Sequence, residues 1–145
     1  MKLIENSIDE FVRRVKKDDA FKDICFVKGY SSAPEGELSD EYLIAVSQLD
    51  SKVGTSFLGD YAGENLQGSM YDITLKFRIF ARKDVGGQGL VTLSHELTRA
   101  LKENDNSRIC GEIKVLPVAF CDDAMCVYRD VHVLLSFCIC EEVAQ

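Results

Sequence analysis

A long alternation of apolar and polar residues in the middle of the chain constrains its fold more than any other feature. In GSMYDITLKFRIFARK, residues 68–83, apolar side chains occupy every second position: Tyr71, Ile73, Leu75, Phe77, Ile79 and Ala81. The positions between them carry Asp72, Thr74, Lys76, Arg78, Phe80 and Arg82. Because successive side chains of a strand point to opposite faces, this pattern predicts a β-strand with one buried face. The other face gathers positive charge, although the whole chain has a net charge of −7.

The length and composition of the chain predict one globular domain. Its 145 residues can build a single core, and 46% hydrophobic with 28% charged residues is typical of a folded soluble protein. The negative net charge excludes an overall basic field that would attract nucleic acid or anionic lipid. The N-terminus lacks the apolar segment of a signal peptide, and no apolar run approaches the roughly 18 residues of a membrane span. We therefore expect a cytoplasmic protein.

Apolar periodicity predicts an α+β order of elements. We expect helices at 3–17 and 90–103, and strands at 23–28, 41–48, 69–82, 109–120 and 126–140. Pro117 predicts an edge position or a bulge in its strand. The predicted fold is a single domain, residues 1–145, with a mixed, mostly antiparallel sheet of about five strands covered by two helices. The glycines of residues 86–89 (GGQG) are expected to let the chain turn from strand into helix.

Residues 50–69, DSKVGTSFLGDYAGENLQGS, predict a long loop with glycines at 54, 59, 63 and 68. Loops of this length in compact domains are usually functional or mobile. The loop carries large apolar residues that are unusual in a linker: Phe57, Leu58, Tyr61 and Leu66. Two interpretations stay open, a loop that folds back on its own protein and a loop that becomes ordered against a partner.

No set of residues predicts catalysis or a cofactor site. His95 and Glu96 begin like the zinc-protease motif H-E-x-x-H, but Arg99 stands where the second histidine is needed. Ser94 and its two neighbours point to different sides of a helix, so they do not form a triad. We therefore expect a protein that is not an enzyme and has no cofactor.

The six cysteines allow a metal site but do not require one. No pair of C-x2-C knuckles is present, although Cys138 and Cys140 would share one face of a strand. Buried free cysteine more often behaves as a small hydrophobic residue. A disulfide framework lacks the export signal that would support it.

The predicted strands are longer than the body of the protein. At about 3.3 Å per residue, residues 69–82 would span roughly 46 Å and residues 126–140 about 50 Å. A compact chain of this length has a radius of gyration near 15 Å, which corresponds to a diameter of roughly 38 Å. The strands must therefore bend at bulges or project as a hairpin, and a projecting hairpin needs a partner to cover it. The half-polar face opposite the apolar stripe also indicates an assembly surface, although an open sheet wetted on one side has the same pattern.

With these elements in place, the chain resembles the tail terminator (tail completion) proteins of bacteriophages and prophages. The similarity lies in the order of the elements: an N-terminal helix, a strand pair, a long glycine-bearing loop, the strand YDITLKFRIFAR, the helix LVTLSHELTRALKEND, and the closing hairpin of residues 109–140. The six cysteines depart from what the family leads us to expect.

The resemblance implies a non-enzymatic virion protein that assembles in the host cytoplasm and ends in the virion tail. Such a protein forms a ring, expected to be a hexamer, that caps the head-proximal end of the tail tube. Its partners would be its own copies, the tail tube protein and a head-side connector protein, with DNA only passing through the lumen.

Patterning supplies the candidate residues for this role. Four cations are candidates for the subunit interface or the lumen: Lys76, Arg78, Arg82 and Arg129. Four loop residues are candidates for partner binding: Phe57, Leu58, Tyr61 and Leu66. We expect that reversing the charges of Lys76, Arg78 and Arg82 leaves the monomer folded, because they lie opposite the core stripe. The alternative function is a small cytoplasmic ligand-binding or regulatory domain with a pocket between sheet and helices.

Overall fold

Long antiparallel strands dominate the fold. The computed structural model describes residues 2–28, 41–61, 64–84, 86–105, 109–121 and 126–142, with the backbone alone for 2–4, 53–61, 64–67, 86 and 139–142. The elements in these ranges are α1 (Lys2–Lys16), a 3-10 turn (Asp19–Phe21), β1 (Cys25–Lys28), β2 (Tyr42–Tyr61), β3 (Glu64–Arg82), α2 (Gly86–Glu103), β4 (Cys110–Val115), β5 (Ala119–Cys121) and β6 (Cys126–Glu142).

The strands form one mixed sheet in the order β1-β2-β3-β6-β4, with β5 also paired to β6. Only β1 and β2 run parallel among the described pairs, and the other pairs are antiparallel. The predicted α+β domain, with two helices and a mostly antiparallel sheet, is confirmed. β4 and β5 lie at the edge of the sheet, and Pro117 lies between them, where it divides the strand predicted for 109–120. Proline cannot donate to a strand ladder, so an interruption at the edge is its expected place.

The core lies between the helices and one face of the sheet, which we call the inner face. β3 contributes the predicted alternate residues, and Ile73, Leu75, Phe77 and Ile79 are each at most 2% exposed. From β6 the odd-numbered residues face the same core, including Val131, Val133 and Leu135, all at 0%. Among the residues whose side chains the structure describes, the opposed Tyr71 and Phe137 are the last members of the core at this end of β3 and β6.

Helix α1 contacts the sheet through one apolar stripe. Phe11 and Val15 are buried, and Ile8 and Val12 pack beside them, as their spacing of one helical face predicts. After the helix, Asp18 accepts a hydrogen bond from the Ala20 backbone nitrogen and begins the 3-10 turn. The chain then enters β1 at the edge of the sheet.

Helix α2 begins earlier than the sequence indicates. The glycines of residues 86–89, predicted as a flexible turn, form its first turn instead. Gly89 has a packing reason to be glycine, because a Cβ at that position would lie 1.8 Å from the Tyr42 hydroxyl oxygen. The strand residue Tyr42 therefore packs directly against the backbone of the helix. The helix ends at Glu103, and the Asn104 side chain donates to the Ala100 carbonyl oxygen at 2.8 Å.

The prediction of a long loop at residues 50–69 is wrong. β2 continues through Tyr61 and β3 begins at Glu64, so most of the segment forms paired strands, with described pairs from Asp50↔Thr74 to Tyr61↔Glu64. The register shifts between Gln48 and Asp50 and again between Val53 and Ser56. Such bulges allow a glycine-rich, polar sequence to follow a twisted partner strand.

Candidate assembly surface

The outer face of the sheet, opposite the helices, arranges its side chains in rows across the strands. One row joins Leu43, Phe80, Tyr128 and Ala119, and the next joins Ala45, Arg78 and Asp130. A third row joins Ser47, Lys76, His132 and Lys114 from four different strands. The rows follow from the strand period of two, because residues directly opposed in register lie on the same face.

Arg78 forms a covered ion pair within its own chain. Its Nε donates to Asp130 Oδ1 at 2.6 Å and its Nη2 donates to Asp130 Oδ2 at 2.8 Å. The two side chains are 13% and 11% exposed, and the guanidinium carbon lies 4.2 Å from the centre of the Tyr128 ring. The bidentate bond to Asp130 raises the pKa of Arg78 above its ordinary value. Reversal of the Arg78 charge would place a second carboxylate beside the covered Asp130, so the ion pair argues against the prediction that this reversal leaves the monomer folded.

A second apolar cluster lies on the outer face beside this ion pair. Phe80 and Cys126 are each 2% exposed, and the partly buried residues around them are Leu43, Ala45, Cys121 and Tyr128. Phe80 belongs to the half-polar face that the sequence indicates as an assembly surface. The structure covers Phe80 within its own chain, whereas Leu49 and Cys138 are exposed.

Lys76, His132 and Lys114 form a basic row on the outer face. Lys114 is exposed, and Lys76 and His132 are partly exposed. Burial lowers the pKa of His132 below its ordinary value, and the nearby charges of Lys76, Lys114 and Arg78 also lower it, against the opposite effect of Asp130. Lys76 and Lys114 carry the positive charge of this row, because the lowered pKa leaves His132 neutral near pH 7.

The other two predicted cations are bonded within the chain. Arg82 Nε donates to Asp84 Oδ1 at 3.0 Å at the end of β3. Arg129 occupies the inner face, because it is opposed to the buried Ile79. Its Nε donates to the Leu116 carbonyl oxygen at 2.8 Å and its Nη1 to Ser94 Oγ at 3.1 Å, so it joins β6 to α2. The structure thus brings Lys76 and Arg78 together on the outer face but places Arg129 elsewhere.

Three strands continue past the Tyr71–Phe137 pair as an arm, defined as residues 53–61 of β2, 64–70 of β3 and 138–142 of β6. Backbone pairing extends to Tyr61↔Glu64 on one side of β3 and to Leu66↔Glu142 on the other. The part of β3 in the arm would span about 23 Å when extended. The helices are much shorter than this strand. Helix α1, with 15 residues, is about 22 Å long and α2, with 18, about 27 Å, whereas the 19 residues of β3 would span about 63 Å when extended.

The predicted partner-binding residues all belong to the strands of the arm. Phe57, Leu58 and Tyr61 lie in β2 and Leu66 lies in β3. Their side chains are outside the described part of the structure. The arm has a one-sided charge in its sequence, because it contains Asp60, Glu64, Glu141 and Glu142 and no lysine or arginine.

Sequence reasoning missed the partners that complete the outer face. Asp130 and Lys114 acquire their roles from the pairing of β6 with β3 and with β4, strands that are distant in the chain. The alternation of β6 indicated which of its residues share a face, but no local signal gives the register between strands that a short turn does not join.

A groove between α1 and the sheet is the feature that matches the alternative function. Its volume is about 360 Å³, its floor is apolar with Val12, Phe26 and Leu75, and charged groups lie at its rim. Lys28 Nζ donates to Asp9 Oδ1 at 2.8 Å across this rim.

Comparisons with known proteins found no match that would indicate a function. No protein-family model matches the chain, and no curated protein is similar to it. None of the described helices has the length and apolar character that crossing a membrane requires. Within the described residues, no three histidine, cysteine or acidic side chains come together as metal ligands.

Proposed function

We propose that the chain is a phage or prophage tail terminator that forms a closed ring and caps the head-proximal end of the tail tube. The observation that carries the proposal is the arm. Three hydrogen-bonded strands extend past the last described core pair, Tyr71 and Phe137, and a second copy of the chain is the occupant we assign to this region.

Charge complementarity supports a second copy as that occupant. The arm carries four carboxylates and no cation in its sequence, whereas the outer face over the core carries the basic row of Lys76, His132 and Lys114. Opposite potentials on two parts of one surface favour contact between copies and suppress contact between identical parts.

A contact between two different patches of the same chain is heterologous. Repetition of such a contact produces a ring when its rotation closes and a filament when it does not. In the proposed ring the arm of each copy lies against the basic row of the next. A closed ring adds no further copies, so it stops the growth of the tube on which it lies and offers a surface to the head-side connector.

Charge reversal at the basic row tests the interface. We expect that Lys76→Glu with Lys114→Glu weakens association by about tenfold or more, because carboxylates would then face the acidic arm. The matched control is Lys22→Glu, an exposed charge in the turn before β1, away from the basic row. Sedimentation velocity, for the chain alone and with tail tube protein added, would measure the assembly.

A charge exchange makes the interface test specific. Adding Glu141→Lys and Glu142→Lys to the reversed row places lysines opposite glutamates again and should restore association. High salt should weaken the wild-type contact, because screening shortens the reach of exposed charges. Assembly of the reversed-row chain at wild-type strength would contradict the interface.

The groove beside α1 favours the second candidate, a small ligand-binding or regulatory domain. Its apolar floor and charged rim suit a small amphipathic molecule. A chain that remains monomeric at all concentrations, and has no effect on tube protein, would favour this candidate over the ring.

A further inference from the structure

Two cysteines face each other across adjacent strands on the outer face. Cys121 of β5 and Cys126 of β6 are directly opposed in register, and both belong to the cluster around Phe80. Both are free thiols. Directly opposed residues of antiparallel strands have Cα atoms about 4.5–5.5 Å apart, within the range of about 4.4–6.8 Å that a disulfide accepts.

The two sulfur groups also interact. Burial raises the pKa of the Cys126 thiol to about 11, and the charge of Cys121 and a hydrogen bond with it act in the same direction. The side chains therefore already lie close enough to contact one another.

The pairing is specific among the described cysteines. Cys25 is opposed to Leu43, Cys110 to Leu135, Cys138 to Met70 and Cys140 to Gly68. None of these four therefore has another cysteine opposite it in the described register.

We propose that Cys121 and Cys126 form a reversible dithiol site, which a small-molecule disulfide such as oxidised glutathione converts to an intramolecular disulfide. The site is independent of ring assembly, because its geometry lies within one chain. Its closure would join the three-residue β5, which pairs only with β6 among the described strands, covalently to the sheet.

The reaction proceeds in two exchanges that balance. The Cys121 thiolate attacks one sulfur of oxidised glutathione, which forms a mixed disulfide and releases one glutathione thiolate. The Cys126 thiolate then attacks the Cys121 sulfur and releases the second glutathione thiolate. Two electrons pass from the protein thiols to the glutathione disulfide, and the two thiol protons go to solvent or to the released thiolates. Cys121 reacts first because it is partly exposed, whereas Cys126 is 2% exposed.

Peptide mapping gives a direct test. Cleavage after Lys114 and Arg129 releases residues 115–129, which contain Cys121 and Cys126 and no other cysteine. The folded chain is equilibrated in oxidised and reduced glutathione, and its remaining thiols are alkylated. The mass of the peptide is then measured by mass spectrometry. We expect the peptide to lose two hydrogens and take no alkyl group, at a more reducing poise than the one at which exposed Cys25 takes up glutathione.

Two controls separate the site from chance oxidation. In Cys126→Ser, Cys121 should retain glutathione as a mixed disulfide, and in Cys110→Ser the pair should close as in wild type. The same buffer with denaturant measures the contribution of the fold, and closure should be at least about tenfold more favourable in the folded chain, because the fold pre-positions the thiols. A peptide that keeps two alkylated thiols while Cys25 is modified would overturn the proposal, as would equal closure in the folded and denatured chains.

Discussion

Arg78 and Asp130 occupy directly opposed positions of β3 and β6, and each side chain is about nine-tenths covered. Covering two charges is costly unless they are paired, and here a bidentate bond at 2.6 and 2.8 Å satisfies both. The pair is therefore structural, and it divides the basic stripe of β3 into a covered member, Arg78, and an accessible one, Lys76.

Removal of Asp130 should destabilise the monomer. Asp130→Ala leaves the Arg78 guanidinium covered without its partner, so we expect the free energy of unfolding to fall by about 3 kcal/mol. Arg13→Ala, which removes an exposed ion pair with Glu10 on α1, is the control and should cost less than about 1 kcal/mol. Urea unfolding of the two variants and wild type measures the difference. Equal losses in both variants would show that the covered pair contributes no more than an exposed one.

His132 makes the stability of the folded chain depend on pH. Its folded pKa lies below its unfolded pKa, so the unfolded chain binds more protons between the two values. The stability that neutral His132 contributes is therefore fully present above the unfolded pKa, and it is lost as the pH falls through the folded pKa. Between about pH 7 and about pH 5, wild type should therefore lose more stability than His132→Gln. Thermal unfolding across that interval is the measurement, and parallel curves for the two chains would refute the shift.

Arg78 and its neighbour Ile79 show how far the sequence could predict the candidate surface. Alternation in β3 correctly separated Ile79 from Arg78, because the strand period is a local property. The pairing of Arg78 with Asp130 needs the register of two strands separated by α2, β4 and β5. Local sequence contains no information on that register, so the covered ion pair was missed.

At the scale of elements, β2 is the clearest case of tertiary pairing that overrides local preference. Its glycines at 54 and 59 and its polar residues favour a loop, yet β3 beside it is a strong strand former with a buried face. Pairing with β3 satisfies the backbone of β2, and bulges absorb the mismatch. The strand–helix order and the helix-covered face were predictable, because the helix period of 3.6 residues and the strand period of two are visible in the local sequence.

The arm should be removable without loss of the core. Replacing residues 54–70 by Asn-Gly joins the opposed Val53 and Tyr71 through a two-residue hairpin turn, and the chain then stops after Cys138. The described buried apolar side chains all lie outside the removed segments, so the arm-deleted chain should fold cooperatively with a Tm within a few degrees of wild type. Circular dichroism during heating measures this. A chain without a cooperative transition would show that the arm belongs to the folding unit.

At the scale of the whole molecule, the fold combines a covered core with an arm of three strands whose sequence is acidic, whereas the outer face over the core carries a basic row. In the proposed ring a second copy of the chain is the binding partner, and the geometry of repetition decides between ring and filament. The covered Phe80 cluster and the Arg78–Asp130 pair link neighbouring strands on the outer face over the core, where the proposed ring places the arm of a neighbour.

The length of tail tubes assembled in the presence of the chain tests the central claim most directly. Tail tube protein is polymerised alone, with wild type and with the arm-deleted chain, and electron micrographs give the tube lengths and the structures at the tube ends. We expect wild type to shorten the tubes and to add a ring at one end, whereas the arm-deleted chain leaves the tubes as they are. Tubes of unchanged length and bare ends with wild type, when the same preparation is folded, would contradict the account.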